Sequence, residues 1–237
     1  DVECMYIGLE TECFKQGSER LNEKLQKALS EKIHNIVELE YAVVEMFTSL
    51  MSNRSFVIAE HCIRVEKYMS LFLDSLIESR MLSLDEKDVQ LLKFAAKIHD
   101  LGKICLPDRC LADMGDLSIQ EKEFNNAHTV LGADAIKRVM GVVSDNRFLM
   151  YAYNMCRFHH ERWDGKGYPD KLMTNNIPVE ARILSIVNGY DNFRTTNDGA
   201  EAVNRIRFWS GTHYDPELVD AFINIESQIA AIRFENQ

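Results

Sequence analysis

No glycine and no proline falls between Ser18 and Leu101. Inside a helix each glycine would cost about 1 kcal/mol and each proline about 3. Their absence leaves this whole stretch free to form long helices. All four prolines (Pro107, Pro169, Pro178, Pro216) come after it. Alternating β-branched runs are missing apart from a weak strand candidate at Val2–Ile7. The expected class is therefore all-α: a helical bundle preceded by a long N-terminal helix.

The first helix is expected from about Ser18, a capping residue, to Met51. A heptad register fits it, with Asn22, Leu29, Ile36, Val43 and Leu50 at a and Leu25, Lys32, Leu39 and Met46 at d. A parallel two-stranded coiled coil, and hence a homodimer, accounts for this seam and for a polar Asn22 within it. A long helix packed on its own domain accounts for it equally well, and both readings stand. Further helices are expected near 54–79, 85–100, 118–126, 127–142, 145–160, 178–195 and 215–233. Ser83-Leu-Asp-Glu86 resembles an N-terminal capping signal. Gly115, the Gly165–Pro169 segment and Gly211 mark loops. The domain reading is an N-terminal segment and linker or dimerisation helix over 1–52, then a larger domain over 53–237. Residues 1–17 are compatible with the tail of an upstream sensory domain.

Charge narrows the partners. The chain has 37 acidic against 27 basic residues, a net charge of −10. Such a surface disfavours a non-specific grip on DNA or on an anionic membrane. It leaves room for a small anionic ligand in a local metal-rich pocket. No apolar run approaches the roughly 18 residues of a membrane span, and no signal peptide is visible at Asp1. The six cysteines form no CxxC pair and read as reduced thiols, so the expected location is cytoplasmic.

Seven histidines carry the chemistry of the chain. His99-Asp100 closes an apolar helical stretch, where a carboxylate with two oxygens can bridge two cations beside a neutral imidazole. His159-His160 is more pointed, because two adjacent buried histidines are costly unless ligated or hydrogen-bonded. They lead into the polar, glycine-rich loop Glu161-Arg-Trp-Asp-Gly-Lys-Gly-Tyr-Pro169. His61 and His128 sit on other helical segments. Each alone reads as an ordinary core or surface histidine. An Asp with several histidines in an all-helical chain points to transition-metal sites rather than Mg²⁺ or Ca²⁺ cages.

The order and spacing of these residues resemble the HD-GYP domain, a branch of the HD metal-dependent phosphohydrolases. The resemblance covers roughly residues 53–230. It runs through His61-x-x-Arg-Val65, His99-Asp-Leu-Gly-Lys-Ile104, Leu106-Pro-Asp108 and His128-x-x-x-Gly132. It continues through His159-His-Glu-Arg-Trp-Asp-Gly-Lys-Gly-Tyr-Pro169, Ile177-Pro178, Ala181-Arg-Ile183 and Tyr214-Asp-Pro216. The resemblance implies an HD-domain helical bundle holding divalent transition-metal ions, iron or manganese first, with nickel, cobalt or zinc as substitutes. It implies bacterial second-messenger signalling by hydrolysis of cyclic di-GMP to the linear dinucleotide pGpG and on to GMP. 3′,3′-Cyclic GMP-AMP fits the same chemistry, because the metals act on the phosphodiester and not on the base. By position, His61, His99 and Asp100 would hold one metal. Asp100 would bridge to a second, held by His128, His159 and His160. Lys103 matches a family lysine near the scissile phosphate. Asp164, Gly167, Tyr168 and Pro169 belong to the loop that shapes the substrate site. Paired cations activate water and offset phosphate charge, so no Ser or Cys nucleophile is required.

Three departures from the family pattern stand out. A family aspartate that ligates metal on the His61 side is Asn188 here, which keeps one neutral oxygen and loses a charge. The position four residues before His61, a Glu in trinuclear members, is Val57, so two metals are expected. The family's phosphate-contacting basic segment is replaced by Arg194-Thr-Thr-Asn-Asp-Gly199, with Arg194 as a candidate substitute. The leading reading is a cyclic dinucleotide phosphodiesterase. The alternatives are a catalytically weakened module that binds a dinucleotide or a partner protein, and another HD-type nucleotide phosphohydrolase.

Overall fold

The computed structural model describes residues 2–111, 118–142, 146–194 and 199–232, with side chains from Arg20 onward, Ile33 excepted. Within them the protein is all-α. The helices are α1 (Val2–Arg54), α2 (Phe56–Glu78), α3 (Glu86–Lys97), α4 (Ile119–Asn126), α5 (His128–Met140), α6 (Arg147–Phe158), α7 (Val179–Arg194), α8 (Gly199–Phe208), α9 (Pro216–Asn224) and α10 (Glu226–Ala231). Short 3-10 turns at Leu101–Cys105, Asp108–Leu111 and Thr174–Asn176 connect them. The chain divides into two compact units, Asp1–Glu45 and Met46–Gln237, so the last turns of α1 belong to the second unit.

α2 and α7 form the middle of the second unit. Along α2, Ile58, Cys62, Val65, Met69, Phe72, Leu73 and Leu76 are buried at helical spacing, which makes one apolar stripe. α7 is buried over most of its surface through Ala181, Ile183, Leu184, Ile186, Val187 and Tyr190. Three aromatic contacts lock α2, α7 and α9 edge to face. Tyr68 meets Tyr190 at 5.1 Å, Phe72 meets Phe222 at 5.1 Å, and Tyr190 meets Phe222 at 5.4 Å. α3, α5 and α6 pack together as a second wall beside this pair. The site described below lies where the two walls meet.

Four of the helices start on local capping chemistry. Asp85 caps α3 by accepting from Asp88 N at 2.6 Å, and Asn146 caps α6 through Leu149 N at 3.0 Å. Ser118 and Glu121 make a reciprocal capping box at α4. Asp215 caps α9, with Pro216 in its first turn.

The structure corrects several expectations. α1 begins at Val2, so Val2–Ile7 is helix rather than strand and Ser18 lies inside a helix instead of capping one. Gly8 and Gly17 cost that helix only about 1 kcal/mol each. The capping signal near Ser83 resolves to Asp85, two residues later. The expected helix over 215–233 breaks at Ile225, where φ −106° and ψ 14° leave the helical region. α8 was not expected, because the polar run before it reads as loop. The loop mark at Gly115 and residues 195–198 of the replaced basic segment lie outside the described residues. No helix among the described residues is long and apolar enough to cross a membrane.

Candidate metal centre

α3 ends at Lys97, and Ile98 leaves helical geometry at φ −114°, ψ 14°. That break frees His99 and Asp100 from the roughly 100° divergence of helical neighbours, and both turn into the interior, 0 and 1% exposed. His128 opens α5, and His159 follows the last turn of α6. Three of the rings are oriented by their own helix. Nδ1–H of His99 donates to Ala96 O at 2.8 Å, that of His128 to Asn125 O at 2.5 Å, and that of His159 to Met155 O at 2.7 Å. Those bonds assign the proton to Nδ1 and leave each Nε2 as a lone pair. All three Nε2 atoms face Asp100.

The carboxylate of Asp100 sorts them into two sets. Oδ2 lies 3.5 Å from His99 Nε2 and 3.9 Å from His61 Nε2. Oδ1 lies 3.3 Å from His128 Nε2 and 3.8 Å from His159 Nε2. His160 completes the second set, so His61, His99 and Asp100 form one group and His128, His159 and His160 another. Within each group the ligand atoms lie within 4.8 Å of one another. His99 Nε2 and Asp100 Oδ1 are buried without a hydrogen-bond partner. His128 Nε2 and His159 Nε2, both acceptors, stand 3.3 Å apart. Converging buried acceptors repel unless a cation lies among them. This donor set therefore fits divalent transition-metal cations, with Asp100 shared between the two groups.

The electrostatics agree. Burial holds the imidazoles of His128 and His159 down to about 3 and that of His99 to about 4, and it holds His160 well below its usual value. All four stay neutral and able to ligate at ordinary pH. Burial alone would raise the Asp100 carboxyl. The Lys103 ammonium, with Nζ 2.5 Å from Oδ2, leads the opposing influences, and the carboxyl lies well below its usual value.

His61 is oriented differently. Its Nδ1 meets Asp191 Oδ2 at 2.7 Å, and Arg64 clamps the same carboxylate through Nε at 2.7 Å and Nη2 at 2.9 Å. Against the effect of burial, these bonds lower the Asp191 pKa. Asp191 thus stands behind a candidate metal-ligating histidine and fixes its ring and tautomer, the usual arrangement at such sites. A helix-packing hydrogen bond is the ordinary reading of that position in sequence. The three-residue spacing of His61 and Arg64 on one helix face was the signal for the larger role. Asn188 lies one turn before Asp191 on buried α7, and its Oδ1 has only a long 3.5 Å contact from Asn192 Nδ2. Val57 is 69% exposed, so no third carboxylate stands there.

Two glycines let the walls close. A Cβ on Gly102 would lie 1.9 Å from His128 O and 2.7 Å from Gly132 N, so only glycine lets the turn after Asp100 touch the first turn of α5. Gly167 is equally constrained, since a Cβ would meet Arg162 N at 2.4 Å and Glu161 Cα at 2.5 Å. That close approach folds the loop back so that Tyr168 stacks on His160 at 4.8 Å and 20°. The Tyr168–Pro169 peptide is cis. Glu161, 1% exposed, accepts from Asp170 N at 2.6 Å and ties the loop's far end to the histidine pair.

Other expected site residues have partners of their own. Asp164 takes Arg162 Nε at 3.0 Å, Nη2 at 2.8 Å and Lys166 N at 3.1 Å, and the Arg162 hydrogen bond brings its pKa down to about 2. Its carboxylate shapes the loop. Arg194 hydrogen-bonds the Tyr190 hydroxyl near the end of α7. The four cysteines whose side chains are described are free thiols. Burial raises Cys62 and Cys156 far from thiolate reactivity, which leaves them packing residues behind the site.

The HD domain family matches residues 49–218, and the chain belongs to that family. The motifs that carry the HD-GYP resemblance, from His61 to Pro216, fall within this span. Among curated proteins, a cyclic di-GMP phosphodiesterase of Thermotoga maritima is 30% identical over 88% of this chain and 55% of its own length. A cyclic di-GMP phosphodiesterase of Vibrio cholerae is 30% identical over 81% of this chain and 41% of its own. A 3′3′-cGAMP-specific phosphodiesterase of the same organism is 26% identical over 97% and 44%. The chain therefore spans about half the length of the curated relatives it matches. Among solved structures, an HDG"Y"P protein from Bdellovibrio bacteriovorus superposes with a TM-score of 0.58 at 18% identity, covering 81% of this chain and 62% of that one. That likeness supports the fold.

Proposed function

We propose that this chain is a metal-dependent cyclic dinucleotide phosphodiesterase acting first on cyclic di-GMP, with 3′,3′-cyclic GMP-AMP as the second candidate. The observation that carries the reading is the divided carboxylate of Asp100, one oxygen toward His61 and His99 and the other toward His128 and His159. Names of the relatives support the substrate class. Two transition-metal ions held by these residues and by Asn188 would supply Lewis-acid charge and activate water at neutral pH. Lys103, beside Asp100, offsets the charge that builds on the phosphoryl oxygens. Tyr168 walls the site beside His160, while Gly167 and Pro169 fix the loop that carries it. The site lies in the cytoplasm and takes its input from a sensory segment upstream.

The test is hydrolysis of cyclic di-GMP by protein purified anaerobically and loaded with Mn²⁺ or Fe²⁺, with products resolved by chromatography. Turnover to pGpG or GMP is the expected result. Silence with both metals bound would favour cyclic GMP-AMP or the binding-module reading.

The protein acts as a homodimer through α1. Leu21, Leu25, Leu29, Ile36 and Leu39 in the first unit are each at least half exposed, and Met46 and Leu50 in the second are nearly so or more. Most occupy the a and d positions of the heptad register, the seam that a second parallel copy covers. Light scattering on the chain with Leu39 and Val43 made polar should shift a dimeric mass to a monomeric one. A monomeric mass for the unaltered chain would overturn the assignment.

A further inference from the structure

The two oxygens of Asp100 are not equally open to a cation. Oδ1, the oxygen toward His128 and His159, is buried and has no hydrogen-bond partner. Oδ2, the oxygen toward His61 and His99, accepts from Lys103 Nζ at 2.5 Å. The lysine is placed there by its own turn. Lys103 N donates to Asp100 O at 2.9 Å within the 3-10 turn Leu101–Cys105. Gly102 holds that turn against the first turn of α5, where a Cβ would lie 1.9 Å from His128 O. The backbone at Lys103 is therefore fixed, while its side chain is 21% exposed against 2% for Asp100. A flexible four-carbon stem on a fixed backbone lets the ammonium leave the carboxylate without moving the turn.

We infer that Lys103 is the resident counter-cation of Asp100 Oδ2, and that it makes the two histidine groups take up metal in order. The His128–His159–His160 group fills first, beside the open Oδ1. The His61–His99–Asp100 group fills second, because its carboxylate oxygen is the one that the ammonium holds. The inference rests on the metal-dependent reading of the site, not on the choice of dinucleotide. Two cations on one buried oxygen repel, and a charge-assisted hydrogen bond must be weakened to admit the second of them. That loss subtracts from affinity on the His61 side alone. Once drawn away from Oδ2, the Lys103 ammonium is free to meet a phosphoryl oxygen. By linkage, an anion that draws Lys103 away tightens metal binding on that side, and metal there tightens the anion by the same factor.

The test is calorimetric titration of the full chain with Mn²⁺ alone, which needs no turnover. The unaltered chain should bind in two steps, and His61→Ala should remove the weaker one. Lys103→Gln should tighten that weaker step about tenfold and change the other by less than about threefold. Lys103→Arg, which keeps the charge, should leave both steps within about threefold of the unaltered chain. Melting reads the same exchange from the other side. In chelator, Lys103→Gln should melt below the unaltered chain, because the buried Asp100 loses its ammonium. Saturating Mn²⁺ should close that gap. Equal tightening of both steps by Lys103→Gln would make the lysine a general positive charge and overturn the inference. So would an unchanged or weakened His61-side step, or loss of the tighter step in His61→Ala. Each of those results leaves the metal-dependent reading standing. No Mn²⁺ binding by the unaltered chain would overturn that reading and the inference together.

Discussion

On the α3–α5–α6 wall of the metal centre, His99, His128 and His159 take their orientation from carbonyls three or four residues earlier in the chain. On the α2–α7 wall, His61 takes its orientation from Asp191, 130 residues away, and Arg64 holds that carboxylate in turn. The first wall is set by local geometry: a helix end places each ring as soon as the helix forms. The second exists only when α2 and α7 have packed, through Tyr68 and Tyr190 among others. The first wall presents four histidines and a carboxylate, with His99-Asp100 and His159-His160 adjacent in sequence. The second depends on an ion-pair relay from Arg64 through Asp191 to His61. On the proposed reading, with Asn188 in place of a family carboxylate, the His61 side is the weaker of the two sites.

The largest effect should come from the residue common to both walls. Asp100→Ala removes the only carboxylate in either ligand group. It should reduce phosphodiester hydrolysis to background and lower metal content at both sites, read by elemental analysis of the purified protein. Retention of one full equivalent of metal with turnover intact would break the bridging assignment.

Acid should strike the locally oriented rings first. Burial sets His128 and His159 near 3 and His99 near 4, whereas an unfolded histidine titrates near 6.5. Between those values the unfolded chain binds more protons, so the stability of metal-free protein rises with pH. That stability is fully present above about 6.5 and is lost as pH falls toward 4. Each ring adds up to about 1.4 kcal/mol per pH unit in that window. Asp191 works in the opposite sense of charge: its lowered carboxyl contributes stability above the ordinary carboxylate range and loses it only as pH falls through its folded value. Thermal melts in chelator between pH 7 and pH 5 should show the steep loss, and a flat profile there would contradict the buried neutral rings.

Much of the first wall was legible in the sequence, and less of the second. His99-Asp100 and His159-His160 are adjacent pairs at helix ends, so sequence proximity already implied spatial proximity. The HHERxDGxGYP block carried the loop as well. By contrast, the partnership of His61, Arg64 and Asp191 is a long-range fact, visible in the chain only as a three-residue spacing. Gly102 and Gly132 were read as family letters, while their reason is a backbone approach that no Cβ permits. Asp164 belongs by sequence to the substrate loop, and the structure adds that Arg162, two positions away, engages both its oxygens. The start of α1 lies well before Ser18 because isolated glycines at 8 and 17 are too cheap to stop a helix.

A smaller effect should separate the two walls. Asp191→Ala leaves His128, His159 and His160 untouched but removes the acceptor that fixes His61. Loss of such a partner costs about ten- to a hundredfold in metal affinity. Titration with Mn²⁺ should show one weakened site and one unchanged, and Asp191→Asn should fall between. Equal weakening of both sites would mean that the walls are not independent.

The smallest change should run in the opposite direction. Asn188 sits one turn before Asp191 on α7, buried, with its oxygen only loosely engaged. Asn188→Asp adds a full negative charge to the weaker wall without changing the size of the side chain. Its desolvation opposes the gain, because a buried carboxylate without a cation is unfavourable. With a divalent cation present the attraction dominates, and affinity on the His61 side should rise about tenfold. Without metal the same variant should be less stable than the unaltered chain, since the added carboxylate is buried with no cation of its own, Lys103 and Arg64 being engaged by Asp100 and Asp191. A melt with and without Mn²⁺ reads both signs at once. A variant that is stabilised in chelator, or that gains nothing from metal, would place Asn188 outside the ligand set and leave the weaker wall to His61, His99 and Asp100 alone.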